Sequence, residues 1–338
     1  MKAIVYTKYG PPDVLHLKEV EKPDPNENEI LIKVKAATVT MGDIRSRSFT
    51  VPLSVWLPAR FIMGLRRPKK TILGLELSGE VESVGKDVKL FKAGDQIFAA
   101  SQVGYGAYAE YKCLREDGPV SIKPNNISFE EAAAIPIGAR TALFYLRKAN
   151  VQSGQKVLVY GASGSVGSYA VQIATYFGAK VTGVCSTANV ELVKSLGADK
   201  VIDYTSEDFS RDGGTYDVIF EAVNKSPFSA CMKSLKKDGT YLNVTVPVPG
   251  VRMLWTKLTT GKKLILSQNS PETPEALNFL KELVEAGKLK VIIDRCYAFE
   301  ELVQAHRYVE KGHKKGNVVI TMEHNEVLMG KTTKPLKR

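Results

Sequence analysis

The stretch Lys156-Val-Leu-Val-Tyr-Gly-Ala-Ser-Gly-Ser-Val-Gly-Ser-Tyr-Ala-Val-Gln-Ile-Ala174 constrains the fold of this chain more than any other. Val157 to Tyr160 are apolar or aromatic without alternation, as a parallel strand covered on both faces requires. Gly161 to Gly167 break that run, and Val166, Ala170, Ile173 and Ala174 resume at helical spacing. The order is strand, tight glycine turn, helix. A turn of this shape aims unpaired backbone N–H groups and the positive end of a helix at one point, which suits a pyrophosphate. Gly164 lets the backbone approach the phosphates and Gly167 lets helix and strand pack closely, while Ala162 stands where the dinucleotide fingerprint usually begins with glycine. Ser163, Gly164, Ser165, Val166 and Gly167 are thus the expected phosphate cradle.

The end of the second strand, Lys180-Val-Thr-Gly-Val184, bears on the choice of dinucleotide. An NAD site offers a carboxylate roughly 20 residues past the glycines, to take the ribose hydroxyl. This chain has Cys185-Ser-Thr-Ala-Asn189 instead. Small polar side chains without an acid leave room for a 2′-phosphate and avoid like-charge repulsion, so NADP is expected, with Ser186 and Asn189 beside it. No Lys or Arg falls in that turn, and Ser186 is equally placed to cap the following helix.

A chain of 338 residues suggests two domains. Its N-terminus runs directly into Lys2-Ala-Ile-Val-Tyr6, and no apolar run approaches the roughly 20 residues needed to cross a bilayer, so the cytoplasm is the expected location. Cys113, Cys185, Cys231 and Cys296 are scattered, which fits reduced and mostly buried thiols better than disulfides or a zinc knuckle. The net charge of +11 is concentrated: Arg60, Arg66, Arg67, Lys69 and Lys70 in one loop, and Lys331, Lys334, Lys337 and Arg338 in the tail, hold nine of those charges. A solvated loop and tail explain this more simply than contact with nucleic acid or membrane, though both segments offer such a contact.

Along the chain, alternation at Ala3 to Thr7, Leu15 to Val20, Glu29 to Lys35, Leu77 to Val84, Gln96 to Ala99 and Gly104 to Tyr111 predicts the strands of an antiparallel β domain. Ser128-Phe-Glu-Glu131 is a capping sequence that opens helical structure. Strands at Val157 to Tyr160, Lys180 to Val184, Val201-Ile202, Asp217 to Glu221, Thr240 to Val244 and Leu264 to Ser267 alternate with helices, which predicts a doubly wound sheet of six strands. After Pro271 come a helix from Glu275 to Ala286, a strand at Val291 to Asp294, a helix from Phe299 to Lys311 and a strand at Asn317 to Met322. These exceed a complete sheet, so the chain is expected to return to its first domain near residue 271, with a frayed tail from Glu323.

Gly74-Leu-Glu-Leu-Ser-Gly-Glu-Val-Glu-Ser-Val-Gly85, Phe91-Lys-Ala-Gly-Asp95, Gly106-Ala-Tyr-Ala-Glu-Tyr111, Gly161-Ala-Ser-Gly-Ser-Val-Gly167, Leu196-Gly-Ala-Asp199 and Gly316-Asn-Val-Val319 together resemble the medium-chain dehydrogenase/reductases, in their quinone oxidoreductase branch. The resemblance implies an α/β fold with a GroES-like β domain, residues 1–124 and 272–338, split around a Rossmann NADP-binding domain, residues 125–271. It implies a homodimer and an active site in the interdomain cleft. The alcohol dehydrogenases of that superfamily hold catalytic zinc through a cysteine in the segment matching Thr38 to Asp43 and a histidine in that matching Gly74 to Glu76. Thr40 and Leu75 stand there instead, and a leucine has no lone pair to give. Asp43 and Glu76 remain, too few for zinc, so no metal is expected. The chemistry implied is one that hydride alone can start, reduction of a quinone or of the C=C bond of an α,β-unsaturated carbonyl by NADPH. A zinc alcohol dehydrogenase, or a cofactor-binding protein that grips RNA or membrane, are the alternatives.

The resemblance nominates Thr40 as a hydrogen-bond donor to a developing oxyanion, with Asp43 and Tyr108 as further catalytic candidates. Asp43 has Arg45 nearby as a partner, and Tyr105 could line the pocket beside Tyr108. Thr141 is expected to face the nicotinamide, Tyr204 to flank the adenosine phosphate and Asn317 to reach the cofactor. His16, His306, His313 and His324 share no ligand spacing and are read as surface residues. The segment from Phe49 to Lys70, with Trp56, Phe61, Ile62, Met63 and Leu65, is too apolar for a free loop. It is expected to form a lid over the pocket of a bulky hydrophobic substrate, with its arginines at the rim, or to pack against a neighbouring subunit or its own surface.

Overall fold

The computed structural model describes residues 1–51, 53–101, 104–211, 213–245, 251–266 and 273–322. The first part of the chain is largely strands: β1 (Lys2–Val5), β2 (His16–Glu19), β3 (Glu29–Thr38), β4 (Glu76–Val84), β5 (Gln96–Ala100), β6 (Tyr111–Arg115) and β7 (Val120–Ile122), with helices α1 (Met41–Ser48) and α2 (Leu53–Met63) inserted after β3. Next come α3 (Phe129–Ala133), α4 (Gly138–Lys148), β8 (Lys156–Tyr160), α5 (Ser165–Tyr176), β9 (Lys180–Cys185), α6 (Val190–Ser195), β10 (Lys200–Asp203), β11 (Tyr216–Glu221), α7 (Phe228–Ser234), β12 (Leu235–Asn243), α8 (Val251–Thr259) and β13 (Lys263–Ile265). The described chain closes with α9 (Glu275–Glu285), β14 (Ile293–Ala298), α10 (Leu302–Glu310) and β15 (Asn317–Thr321).

The six expected parallel strands pair in the order β10-β9-β8-β11-β12-β13. Val157, Leu158 and Val159 are fully buried, because helices cover both faces of the central strand. The strand order reverses between β8 and β11, so the carboxyl ends of these two strands flank the crevice where such sheets bind ligands. The second large sheet runs β14-β15-β3-β4-β5-β7, with β6 also on β3. β15 lies antiparallel to β3, Val319 opposite Thr38, which returns the end of the described chain to the sheet formed by its first part, as expected.

Several expectations change. The helix α9 sits between the two sheets: Leu277, Leu280, Leu283 and Val284 pack into the core shared with α4 and α5, while Asn278 Oδ1 accepts from Ser121 Oγ of β7 at 2.6 Å. Residues 104–110 are not a strand; Tyr105 and Gly106 hold φ values of 48° and 99°, which turn the chain, and β6 starts only at Tyr111. The segment from Phe49 to Lys70 contains the helix α2, with Pro58 inside it. Helix α1 carries no strong apolar stripe and starts from a capping box between Thr40 and Asp43. The capping box expected at Ser128 and Glu131 is formed, with Glu131 N donating to Ser128 Oγ at 3.2 Å. The tail from Glu323 lies outside the described residues.

Candidate active site

At the end of β8 the chain turns on three glycines that do different work. Gly161 has φ of 82°, and a Cβ there would stand 2.8 Å from Val223 Cγ1. At Gly167 a Cβ would lie 2.0 Å from Gly161 O, so helix start and strand end touch backbone to backbone. Gly164 is the opposite case: a Cβ would meet only Gly161 O at 3.5 Å, and the space above it is otherwise open. Gly164 is also the N-cap of α5 and has no side chain to offer, so the first N–H groups of Ser165, Val166 and Gly167 lack a capping side chain. An uncapped helix start facing open space is built for an anion, and a pyrophosphate fits it.

The first lobe grips this turn directly. Gly164 and Gly316 form an isolated parallel bridge, Gly316 N donates to Ser163 O at 2.8 Å, and Ser165 Oγ donates to Asn317 Oδ1 at 2.6 Å. Asn317 is buried, with its amide nitrogen donating to Ile292 O at 3.1 Å. Both ends of the Asn317 amide thus clamp the turn.

Ser163, Ser186 and Asn189 are brought together. Asn189 Nδ2 donates to Ser163 Oγ at 3.2 Å and to Ser186 Oγ at 3.1 Å, while its Oδ1 is buried with no partner. Ser186 occupies the cap position of the next helical turn, but its side chain makes no capping bond. Tyr204 stacks on Tyr160 with centroids 6.4 Å apart and is half exposed beside this cluster. The carboxylate at the end of β10, Asp203, accepts from Thr187 Oγ1 at 2.5 Å and from Thr205 N at 2.9 Å, and these bonds hold its pKa below the usual range. Thr141 sits half-buried in the first turn of α4, its N–H donating to Ile137 O at 3.0 Å.

The corresponding wall of the first lobe is closed. Asp43 Oδ2 accepts from Thr40 N at 2.9 Å and from Thr40 Oγ1 at 2.7 Å, and Oδ1 accepts from Gly74 N at 3.0 Å. The only hydroxyl proton of Thr40 is therefore directed into the protein. Arg45 is exposed, and the donors to the buried Asp43 are Thr40 and Gly74, so the expected pairing with Arg45 is corrected. Tyr108 is fully buried, its hydroxyl donating to Thr38 O at 3.1 Å beside Asp43, which makes it a core residue and not a pocket lining. Tyr105 is tied to Ser46 Oγ at 2.9 Å. Burial pushes Asp43 up to about 6.

Sequence named Glu76 only as a carboxylate left at the zinc position and did not single out Lys314. Glu76, fully buried, accepts from Thr38 Oγ1 and, at 2.6 Å, from Ile137 N, so it ties the first lobe to the start of α4; burial raises it to about 7. Lys314 donates to Gly316 O and is lowered to about 8 by burial, against the pull of Glu76 and Asp294. Nothing in Lys311-Gly-His-Lys-Lys-Gly316 marks Lys314 apart from its neighbours. His306 corrects the surface reading of the histidines: it is fully buried, its Nδ1 lies 3.0 Å from Arg47 Nη1, and burial with Arg47 nearby lowers its pKa to about 3. Of the four thiols, Cys185 and Cys231 are buried, Cys113 is half-buried and Cys296 is exposed.

Known proteins resemble this chain in sequence and fold. Residues 26–124 match the family described as alcohol dehydrogenase GroES-like domain, and residues 196–320 that described as zinc-binding dehydrogenase. A 2-methylene-furan-3-one reductase of Solanum lycopersicum is 36% identical over 95% of this chain and 79% of its own length. A chloroplastic quinone-oxidoreductase homolog of Spinacia oleracea is 34% identical over 95% of this chain and 98% of its own. The structure of Escherichia coli quinone oxidoreductase complexed with NADPH superimposes with a TM-score of 0.80 at 28% identity, covering 95% of this chain and 100% of that one. The chain belongs to the medium-chain dehydrogenase/reductase superfamily, in its quinone oxidoreductase branch, and is an oxidoreductase. The spinach relative is named chloroplastic, whereas the sequence alone pointed to the cytoplasm.

The name of one matched family raises zinc, and the side chains here do not fit it. The lone pairs of Asp43 and Glu76 already accept hydrogen bonds from protein donors, and the neighbouring positions hold Thr40 and Leu75. Zinc needs three or four thiolate, imidazole or carboxylate ligands. Among the described residues no group of three such side chains could hold a metal.

Proposed function

We propose that the chain reduces the C=C bond of α,β-unsaturated carbonyls, or quinones, at the expense of NADPH bound on the 161–167 turn. NADPH supplies the hydride. The observation that carries this reading is the open, uncapped start of α5 above Gly164, with Ser163, Ser186 and the unpartnered Asn189 Oδ1 beside it. In this reading the N–H groups of Ser165, Val166 and Gly167 hold the pyrophosphate. Ser163, Ser186, Asn189 and Tyr204 surround the adenosine 2′-phosphate, and Thr141 borders the nicotinamide. Asn317 positions Ser165. Thr40, Asp43 and Tyr108 stiffen the wall against which a flat substrate stacks, and water delivers the proton that completes the product. The relatives' names, an enone reductase and quinone oxidoreductases, support the substrate class.

The test is NADPH consumption measured across quinones, enones and simple aldehydes, with product analysis. Turnover of enones or quinones but not aldehydes is expected; aldehyde reduction alone overturns the reading. Ser186→Asp should raise KM for NADPH about tenfold by like-charge repulsion and leave KM for NADH within about twofold. A homodimer is part of the proposal: β13 pairs with β12 and offers its other edge, and Trp255 and Leu258 on α8 are 68% and 83% exposed. Light scattering would report a monomer if this is wrong.

A further inference from the structure

Between Asp43 and Glu76 the chain has seven basic residues and no acidic one. This segment contains α2, which is fastened to the first lobe along one side only. The Tyr9 hydroxyl reaches Met63 O and Gly64 O at 3.0 and 3.1 Å, and the Arg60 guanidinium lies over the rings of Phe49, Tyr9 and Trp56 at 3.8, 4.8 and 5.1 Å. Arg60 is thus a packing residue and not part of a charged rim. The other side of the helix is exposed at its described side chains. Leu57 and Phe61, one turn apart, with Ile62 and then Leu65, are 57%, 65%, 73% and 59% exposed.

A turn at Gly64 sets the direction of residues 65–70. Its φ is 124°, and a Cβ there would lie 1.9 Å from Arg67 O, so the chain folds back at the helix end and presents Arg66, Arg67, Lys69 and Lys70 beside the apolar stripe. All four are exposed, and among the described residues Arg66, Arg67 and Lys70 form no ion pair. An apolar stripe of this size flanked by unpaired cations matches a surface that is apolar below and negative above. No described helix is long and apolar enough to cross a membrane, so the contact would be at the surface.

We propose that α2 and residues 64–70 dock this protein on the surface of an anionic lipid bilayer, the stripe of Leu57, Phe61, Ile62 and Leu65 entering the interface and the four cations meeting the headgroups.

The experiment is co-sedimentation of the full chain with vesicles of phosphatidylcholine alone and of phosphatidylcholine mixed with phosphatidylglycerol. Binding to the mixed vesicles is expected to be at least about tenfold tighter and to weaken as salt rises. Phe61→Glu/Ile62→Glu should weaken it about tenfold or more, and so should Arg66→Glu/Arg67→Glu/Lys70→Glu, with far-ultraviolet circular dichroism melts showing that both variants are folded. These side chains are exposed, so folding should survive. Wild-type protein that stays in the supernatant, or variants that sediment as well as wild type, would overturn the proposal. So would a wild-type dimer that Phe61→Glu/Ile62→Glu converts to monomer, since the stripe would then be a contact between copies.

Discussion

At the carboxyl edge of the parallel sheet, Asn189 keeps a buried oxygen without a partner and Gly164 faces open space. In the first lobe, Asp43 and Glu76 are as buried as Asn189 or more so, yet protein groups already donate to both oxygens of each. Buried polar atoms cost free energy unless they are hydrogen-bonded, so the first arrangement is completed by a ligand and the second completes itself. Two regions with similar polar residues thus differ: in the function proposed above the first is a binding site, and the second is a self-satisfied scaffold at a position where the wider superfamily does metal chemistry.

The sharpest way to break this contrast is to fill the open space. Gly164→Val adds side chain where the nearest atom to a Cβ is 3.5 Å away, so the fold should persist while the pyrophosphate is displaced. The expected loss is about a thousandfold in NADPH affinity, or about 4 kcal/mol, read by fluorescence titration. Unchanged affinity would place the cofactor elsewhere.

Asp43→Ala acts on the other wall. It removes the acceptor for Gly74 N and for Thr40, leaving a buried N–H unsatisfied, and should cost about 3 kcal/mol in denaturant unfolding. The kcat of the folded fraction should stay within about threefold. A hundredfold fall in kcat with unchanged stability would make Asp43 catalytic and end the distinction between the walls.

The same scaffold predicts a pH dependence. His306 has a folded pKa of about 3, below its ordinary 6.5, because it is buried beside Arg47. The unfolded chain takes up a proton as pH falls through 6.5 and the folded chain does not, so this histidine's contribution to stability is present above pH 6.5 and lost on acidification towards 3. At pH 5 the loss is about 2 kcal/mol relative to neutral pH. His306→Gln keeps an acceptor for Arg47 and should remove that part of the slope in unfolding experiments at both pH values. The raised carboxyl groups of Asp43 and Glu76 act with the opposite sign, since the folded state holds their protons longer as pH rises, but they are common to both proteins and cancel in the comparison.

Much of this was legible in the sequence because it depends on local pattern. The non-alternating run at Val157 to Tyr160 and the glycines after it specify the strand, the turn and the uncapped helix without reference to the rest of the chain. The second turn was legible for the same reason, as Ser186 and Asn189 are close in sequence. The features that were not legible depend on distant partners. The clamp that Asn317 makes with Ser165 and Ile292 joins residues far apart in the chain. His306 looks like a surface residue until Arg47, far away in sequence, is found against it. The apolar residues of α2 gave no periodic signal towards a core because most of them point outward.

Thr40 makes the finest test of the contrast, because one atom decides it. Its Oγ1 accepts from Asp43 N at 3.2 Å, one half of the capping box of α1, and donates to Asp43 Oδ2 at 2.7 Å, which reinforces the other half made by Thr40 N. To donate to a substrate oxygen it would have to break the second bond and leave a buried carboxylate short of a donor. Thr40→Val keeps the shape, removes both bonds and should cost about 1 kcal/mol of stability, the ordinary value of a lost helix cap. An oxyanion donor lost from the site would instead cost about a hundredfold in kcat, a larger and kinetically separate effect. Measured side by side, a small stability change with kcat nearly intact identifies Thr40 as scaffold, and the reverse pattern moves it across to the reacting atoms.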